Sequence, residues 1–138
     1  MPGAVALAVD IETTLGQITH IGFAPSRSRA LVIPFVDLSQ PSGSYWPTPE
    51  AEHSAWNMVE ELLTHPALKV FQNGLYDLQY IIRMGLRVTN TQHDTMLLHH
   101  SMYPELQKGL GFLGSVYTSE SSWKLLREHE DGMLKRDE

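Results

Sequence analysis

Two carboxylates, separated by a single residue, follow the first apolar run of the chain. Residues 4–9 carry no polar side chain, and Asp10, Ile11 and Glu12 come directly after them. Such a run predicts a strand that is buried on both faces. Since side chains two apart in a strand point the same way, Asp10 and Glu12 should project together near its end. Like charges repel, so we expect a cation between them and, without it, a raised pKa for at least one carboxyl group.

A third carboxylate occupies a comparable position later in the chain. Asp77 lies on the first turn of a predicted helix, and Asn73 ends the short apolar segment before it. Open α/β sheets bind ligands at the rim where strands end. We therefore predict that Asp10, Glu12 and Asp77 converge at one rim. Carboxylate oxygens suit Mg²⁺ or Mn²⁺ better than zinc or copper, so the predicted cations are Mg²⁺ or Mn²⁺.

Hydrophobic periodicity and turn signals predict the elements that must position these residues. Residues 18–23 and 30–35 predict two further strands joined by a turn at residues 24–29, which would make an antiparallel meander. A helix is predicted from Pro49, with Thr48 as its N-cap and His65–Pro66 as its stop. Its predicted apolar face comprises Trp56, Val59, Leu62 and Leu63.

The second half of the chain predicts one more strand and then helices. Residues 67–73 form the strand, and a helix follows that ends at Gly85. Another helix should begin at the "HDTM" segment, with Asp94 or Thr95 as its cap, and a short helix should follow in residues 109–117. The tail from Thr118 is charged and has a possible helix at residues 123–126. The apolar positions of the helix before Gly85 are Leu75, Leu78, Ile81 and Ile82. The order predicts an α/β fold, a mixed sheet flanked by helices.

Composition excludes several classes of protein. At 138 residues and 42% hydrophobic content the chain suits one domain with a single core. The absence of cysteine excludes disulfides, thiolate metal sites and cysteine nucleophiles, and fits a reducing compartment. No segment approaches the roughly 18 apolar residues of a membrane span, and no secretory signal is evident, so we expect no membrane partner. The net charge of −6 argues against a free-standing DNA-binding module, but not against an enzyme that holds nucleic acid through metal ions.

Three segments in order, "VDIET", "NGLYD" and "HDTMLLHH", resemble the proofreading-type 3′–5′ exonucleases of the DEDD superfamily. The likeness is greatest to the exonuclease domain of family A DNA polymerases, including those of phages. Asp10 and Glu12 match the family's Asp-x-Glu motif, and Asn73 and Asp77 match its Asn-x-x-x-Asp motif. The resemblance implies an RNase H-like fold and a single-stranded or frayed DNA 3′ end as substrate. It also implies a linked or associated DNA polymerase domain as partner, in the cytoplasm of a bacterial or phage-infected cell.

The resemblance also implies roles for individual residues. Asp10 would bridge two Mg²⁺ or Mn²⁺ ions, Glu12 would bind the first ion and help to place the water, and Asp77 would bind the second. The implied contacts to nucleic acid are made by four further residues: Thr13 and Leu15 at the terminal nucleotide, Asn73 at the sugar–phosphate backbone, and Tyr76 stacked on a base.

The third motif of the family has no match in this sequence. It places a fourth Asp on a late helix, with Tyr four residues before it or His about five before it. Four residues after Tyr103 and Tyr117 stand Gln107 and Ser121, and His129 has no suitably spaced Asp. We therefore expect residues 1–138 to be an exonuclease domain that is incomplete at its C-terminus.

Two other functions stay open at this point, together with one other metal site. A ribonuclease D-type enzyme would use the same catalytic residues on RNA, and a non-catalytic domain of this fold would position or stabilise a polymerase. His93, His99 and His100 invite a zinc interpretation. We do not favour it, because the adjacent His99 and His100 face different ways on a helix.

Overall fold

A five-stranded mixed sheet carries the candidate residues. The computed structural model describes residues 6–120, in which the spatial order of the strands is β3-β2-β1-β4-β5. The strands are β1 (Ala6–Thr14), β2 (Gln17–Ser26), β3 (Arg29–Pro34), β4 (Leu68–Phe71) and β5 (Thr91–Asp94). The first three form the predicted antiparallel meander, and β4 and β5 run parallel to β1. The predicted α/β class with a mixed sheet is confirmed.

Four helices accompany the sheet, and the chain divides into two units. The helices are α1 (Pro49–Thr64), α2 (Gly74–Arg83), α3 (Thr95–Met102) and α4 (Leu110–Tyr117). The first unit, Met1–Thr95, holds the sheet with α1 and α2, and the second unit is Met96–Glu138. The N-terminus of α1 is as predicted, because the Thr48 side chain accepts a hydrogen bond from the Ala51 amide at 3.2 Å.

The core of the first unit lies against one face of the sheet only. In β1, Leu7, Val9 and Ile11 are buried, whereas Ala8 and Asp10 between them are exposed. The buried side chains of α1 and α2 belong to the same cluster: Ala55, Val59, Leu63 and Ile81. The prediction that β1 is buried on both faces is therefore wrong for the described part of the strand. The error arose because alanine was counted as a core residue, although it is small enough to lie on an exposed face of a sheet.

The apolar face predicted for α2 is only partly right. Ile81 is fully buried, but Leu75 and Ile82 are 72% and 63% exposed. The inward face of the helix is instead lined by Gly74, Asp77 and Ile81. A polar residue therefore takes a core-facing position that the periodicity had assigned to leucine.

The strand β5 was missed by the sequence analysis, which began a helix in this segment. The sequence "TQHD" shows no apolar alternation, and the strand has a neighbour only on its β4 side. Pairing with β4 therefore decides its conformation, and the sequence pattern does not reveal it. Asp94, one of the two residues predicted to cap this helix, ends β5 and accepts hydrogen bonds from the start of α2.

In the second unit, the rest of α3 and α4 surround a buried histidine. His99 is buried, its ring lies among Tyr103, Phe112 and Tyr117, and its Nδ1 is 2.9 Å from the Tyr117 hydroxyl oxygen. The helix predicted in residues 109–117 is confirmed. The possible helix at residues 123–126 lies outside the described residues. None of the helices between residues 6 and 120 has the length and apolar character needed to cross a membrane.

Candidate active site

Asp10 and Glu12 lie together on the exposed face of β1. Both are exposed, and Ile11 between them is buried on the opposite face, so the predicted common direction of the two acids is confirmed. They do not end the strand, because β1 continues to Thr14. Pairing with β4, however, ends at Ala8. The two acids therefore stand just beyond the point where the sheet narrows to β1, β2 and β3, which is a rim.

Asp77 reaches the same rim from α2. Its side chain is only 3% exposed, and Oδ1 accepts a hydrogen bond from the Ile11 amide at 3.0 Å. The third carboxylate is thus held at the backbone between Asp10 and Glu12. Even so, no three His, Cys, Asp or Glu side chains within residues 6–120 are placed to hold one ion together. The convergence of the segments is observed, and metal binding by the three acids stays a prediction.

The buried position of Asp77 changes its protonation. The pKa of Asp77 is raised to about 6, first because burial penalises the charged form and then because Asp10 and Asp94 are negative neighbours, while the Ile11 hydrogen bond opposes the shift. The prediction of a raised pKa is confirmed. Burial, rather than the repulsion invoked from the sequence, is its main cause. A cation beside Asp77 would favour the charged form and so offset this penalty.

Asp94 and Thr95 hold the connection between β4 and α2. The Asp94 oxygens accept hydrogen bonds from the amides of Asn73 (3.0 Å) and Gly74 (2.7 Å), the first amides at the start of α2. Thr95 Oγ1 donates to the Phe71 carbonyl at 3.2 Å. A Cβ on Gly74 would lie 2.5 Å from Phe71 Cβ, so only glycine fits there. This "HDTM" segment therefore fixes the first turn of α2, which carries Asp77.

The residues predicted to contact substrate lie around the same rim. The hydroxyl oxygens of Thr13 and Tyr76 are 2.6 Å apart, which links β1 to α2 beside Glu12. Asn73 has a left-handed backbone (φ 57°), and its exposed side chain makes no capping hydrogen bond to α2. Leu15 is 99% exposed at the tip of the β1–β2 hairpin. These placements are compatible with the predicted contacts, and the contacts themselves stay predictions.

One residue beside Asp10 and Glu12 was not predicted from the sequence. His20 of β2 is paired with Glu12 in the β1–β2 register, and residues directly opposite each other share a face of the sheet. Its Nδ1 lies 3.1 Å from Thr19 Oγ1. The two-residue loop at Leu15–Gly16 alone would place Thr19 opposite Glu12, but an irregularity of the β-bulge type between Glu12 and Thr13 shifts the pairing to His20. The length of the loop therefore does not reveal this neighbour.

No protein-family model and no curated protein matches this sequence. The solved structures that are similar to this chain include two of NrnC from Brucella melitensis. The first has a TM-score of 0.61 at 19% identity and covers 86% of this chain and 55% of NrnC. The second, NrnC with bound Mg²⁺, has a TM-score of 0.60 at 20% identity and covers 87% of this chain and 57% of NrnC. This chain therefore spans little more than half the length of NrnC.

The likeness to NrnC establishes the fold. NrnC has an RNase H-like exonuclease fold, so the predicted RNase H-like architecture is confirmed. At this identity the likeness shows the fold alone, and it does not single out the polymerase proofreading branch to which the motifs are most similar.

Proposed function

We propose that this chain is a metal-dependent 3′–5′ exonuclease domain that removes nucleotides from single-stranded or frayed nucleic-acid ends. The observation that carries the proposal is the hydrogen bond from the Ile11 amide to Asp77, which holds a buried carboxylate between Asp10 and Glu12. Burying an acid with a raised pKa is unfavourable for stability, and such groups concentrate at functional sites. The motif resemblance gives the reaction class, and the RNase H-like fold agrees with it.

The donor set fits divalent magnesium or manganese. All three candidate ligands are carboxylates, the oxygen donors that these ions prefer, and one of them is buried where a positive charge would favour its ionised form. Asp10, Glu12 and Asp77 would hold two ions, which would supply an activated water and stabilise the leaving 3′-oxygen. The NrnC structure with bound Mg²⁺ supports the same cofactor.

The residues of the chain would divide the remaining work. The Ile11 amide, which donates to Oδ1, holds the Asp77 carboxylate beside Asp10 and Glu12. Thr13 and Tyr76, already joined at 2.6 Å, would contact the terminal nucleotide and its base. Asn73 would bond the sugar–phosphate backbone, since its side chain is not used as a helix cap.

DNA and RNA substrates are both supported. The motifs are most similar to the polymerase proofreading domains, which favours DNA 3′ ends and a linked or associated polymerase domain as partner. The structural likeness to NrnC supports an exoribonuclease equally well. Cleavage rates on DNA and RNA oligonucleotides of identical sequence would decide, and a preference of tenfold or more would assign the substrate.

The proposed activity predicts a ladder of products from a single-stranded DNA labelled at its 5′ end. With Mg²⁺ or Mn²⁺ we expect shortening from the 3′ end by the unaltered chain, and none by Asp10→Asn. Glu61→Gln is the matched control, because it removes the same charge from an exposed position on α1. A ladder that persists in Asp10→Asn, or one that starts at the 5′ end, would contradict the proposal.

Leu15→Asn is expected to stabilise the chain and weaken substrate binding. Leu15 and Gly16 both have positive φ (51° and 80°), as a type I′ hairpin turn requires, and asparagine adopts this conformation more readily than leucine. Because Leu15 is 99% exposed, no packing is lost, and we expect a gain of about 1 kcal/mol in the free energy of unfolding. Urea titration and KM for a short oligonucleotide would test both effects. An unchanged KM would remove Leu15 from the substrate site.

A further inference from the structure

Three side chains form a row along one face of α2. Tyr76, Tyr80 and Arg83 are spaced four and three residues apart, which puts them on the same side of the helix. The Tyr76 and Tyr80 ring centroids are 5.1 Å apart with the rings inclined by 49°. Arg83 Cζ lies 5.6 Å from the centroid of the Tyr80 ring. Each member of the row therefore contacts the next.

The row begins at the candidate active site and leads away from it. Tyr76 is joined to Thr13, which follows Glu12 in β1, and Tyr76 itself directly precedes Asp77 in α2. A rise of about 1.5 Å per residue puts Arg83 roughly 10 Å along the helix from Tyr76. The aromatic face at the start of the row is accessible, since Tyr76 is 45% exposed.

Charge changes sign along the row. Its first end adjoins Asp10, Glu12 and Asp77, whereas its far end is the exposed Arg83. Among residues 6–120, Arg83 has no ion-pair partner, unlike Arg87, which pairs with Glu60 at 3.1 Å. A cation in the last turn of a helix also interacts favourably with the helix dipole. This interaction with the dipole would explain Arg83 alone, but it would not explain why two tyrosines connect Arg83 to the acidic residues.

Single-stranded nucleic acid has the chemistry that matches this row. Its bases stack on aromatic rings, and arginine binds both phosphate groups and π-faces. Stacked nucleotides rise by about 3.4 Å each, so a row of roughly 10 Å spans about three of them, and fewer if the strand is stretched. With the scissile phosphate at the carboxylates, Arg83 would meet a phosphate one to three nucleotides upstream.

We propose that Tyr76, Tyr80 and Arg83 form an upstream subsite for the single strand that leads to the scissile bond. This inference rests on the proposed exonuclease function and deepens it, because it assigns a preference for strand length to named residues. Dinucleotides would bind at the carboxylate end without reaching Arg83. Oligonucleotides of four or five residues would gain affinity from Tyr80 and Arg83.

The test measures binding of 5′-fluorescein single-stranded DNA of two, three, five and eight nucleotides by anisotropy, with Ca²⁺ in place of Mg²⁺ to limit cleavage. The variants are Arg83→Gln, Tyr80→Leu and Arg87→Gln. Arg87→Gln is the matched control, since it removes the same charge from an exposed arginine that is paired elsewhere. We expect Arg83→Gln and Tyr80→Leu to weaken binding of the five-residue strand about tenfold. Binding of the dinucleotide should be unchanged, and Arg87→Gln should alter neither.

The outcomes separate the subsite from the proposed function. Equal weakening by Arg83→Gln and Arg87→Gln at every length would overturn the subsite, because only overall charge would then matter. The same holds if the unaltered chain cleaves 3′ ends but Arg83→Gln binds all lengths normally. Length-dependent binding that needs Arg83, in a chain that never shortens a 3′ end, would support the subsite and contradict the exonuclease. Circular dichroism melting of each variant would exclude unfolding as the cause.

Discussion

Asp77→Asn is expected to abolish the exonuclease activity and, at neutral pH, to make the chain more stable. Asparagine keeps an oxygen that can accept the Ile11 amide hydrogen bond of 3.0 Å, but it removes the buried negative charge. The loss of a metal-binding carboxylate should lower kcat by roughly 10³-fold or more, equivalent to about 4 kcal/mol of transition-state stabilisation. Increased stability and lost activity are expected together because Asp77 is unfavourably placed for folding alone.

The gain in stability should depend on pH in a defined direction. The pKa of Asp77 is about 6 in the folded chain, against an ordinary value of 3.8. Well below the ordinary value of 3.8 both states are protonated at this residue, and the shift has no effect on stability. As pH rises from 3.8 to about 6 the unfolded chain releases the proton more readily, so the free energy of unfolding falls, by up to about 3 kcal/mol above pH 7. The asparagine variant cannot ionise and lacks this fall.

Urea unfolding at about pH 3, below the ordinary Asp pKa, and at about pH 7.5, in the presence of EDTA, would measure the effect. Where Asp77 is protonated in both states, only the cost of burying the amide group remains, so we expect Asp77→Asn to be about 1 kcal/mol less stable than the unaltered chain at the lower pH and about 2 kcal/mol more stable at pH 7.5. Asp10→Asn is the control, because Asp10 is exposed and carries little burial penalty. A variant that is less stable than the unaltered chain at pH 7.5 would show that Asp77 is a structural acid.

Local patterns were sufficient to predict most of the sheet and the direction of two site residues. The alternation of Asp10, Ile11 and Glu12 gives their faces directly, because the period of a strand is two. The cap and stop of α1 were also readable, since Thr48 and His65–Pro66 act on their immediate neighbours. The predictions that were wrong concerned features that depend on residues distant in the sequence. Nothing in residues 4–9 shows which face of β1 a helix covers.

The position of Asp77 illustrates the same limit at the site. Sequence spacing placed it near the rim, but the contact that holds it joins residues 66 apart and uses a backbone amide. Every residue except proline has a backbone N–H group, so the sequence does not show which of these groups binds a given side chain. The burial that raises its pKa is likewise a product of packing. The motif resemblance nevertheless grouped Asp10, Glu12 and Asp77 as one site, which sequence spacing alone could not do.

The contact of Asp94 with α2 was not predicted, for a related reason. An Asp before an apolar helical run predicts the cap of that helix. In the structure, β5 pairs in parallel with β4, so the end of β5 lies beside the start of α2. Asp94 therefore caps a helix that begins 20 residues earlier. A rule that considers only neighbouring residues cannot predict this contact.

Asp94→Ala is accordingly expected to cost far more than the loss of an ordinary helix cap. It removes a charged acceptor from the amides of Asn73 and Gly74, both of which then lack their partner at the start of α2. Hydrogen bonds to charged groups contribute about 1.5–3 kcal/mol each, and partial exposure lets water replace some of this, so we expect a loss of about 3 kcal/mol. Thr48→Ala removes the single neutral cap of α1 and should cost about 1 kcal/mol.

The two variants should differ in activity as well as in stability. Loosening the first turn of α2 displaces Asp77 from the Ile11 amide, so kcat should fall at least tenfold in Asp94→Ala, while Thr48→Ala, which alters α1, should leave kcat unchanged. Asp94→Asn keeps one acceptor oxygen, and its kcat should lie between those of the other two variants.

Hydrogen exchange at the Ile11 amide gives a readout that does not need activity: protection of this amide should drop in Asp94→Ala alone. If it drops equally in Thr48→Ala, general destabilisation explains the loss. If it is retained in both, Asp77 keeps its position without Asp94.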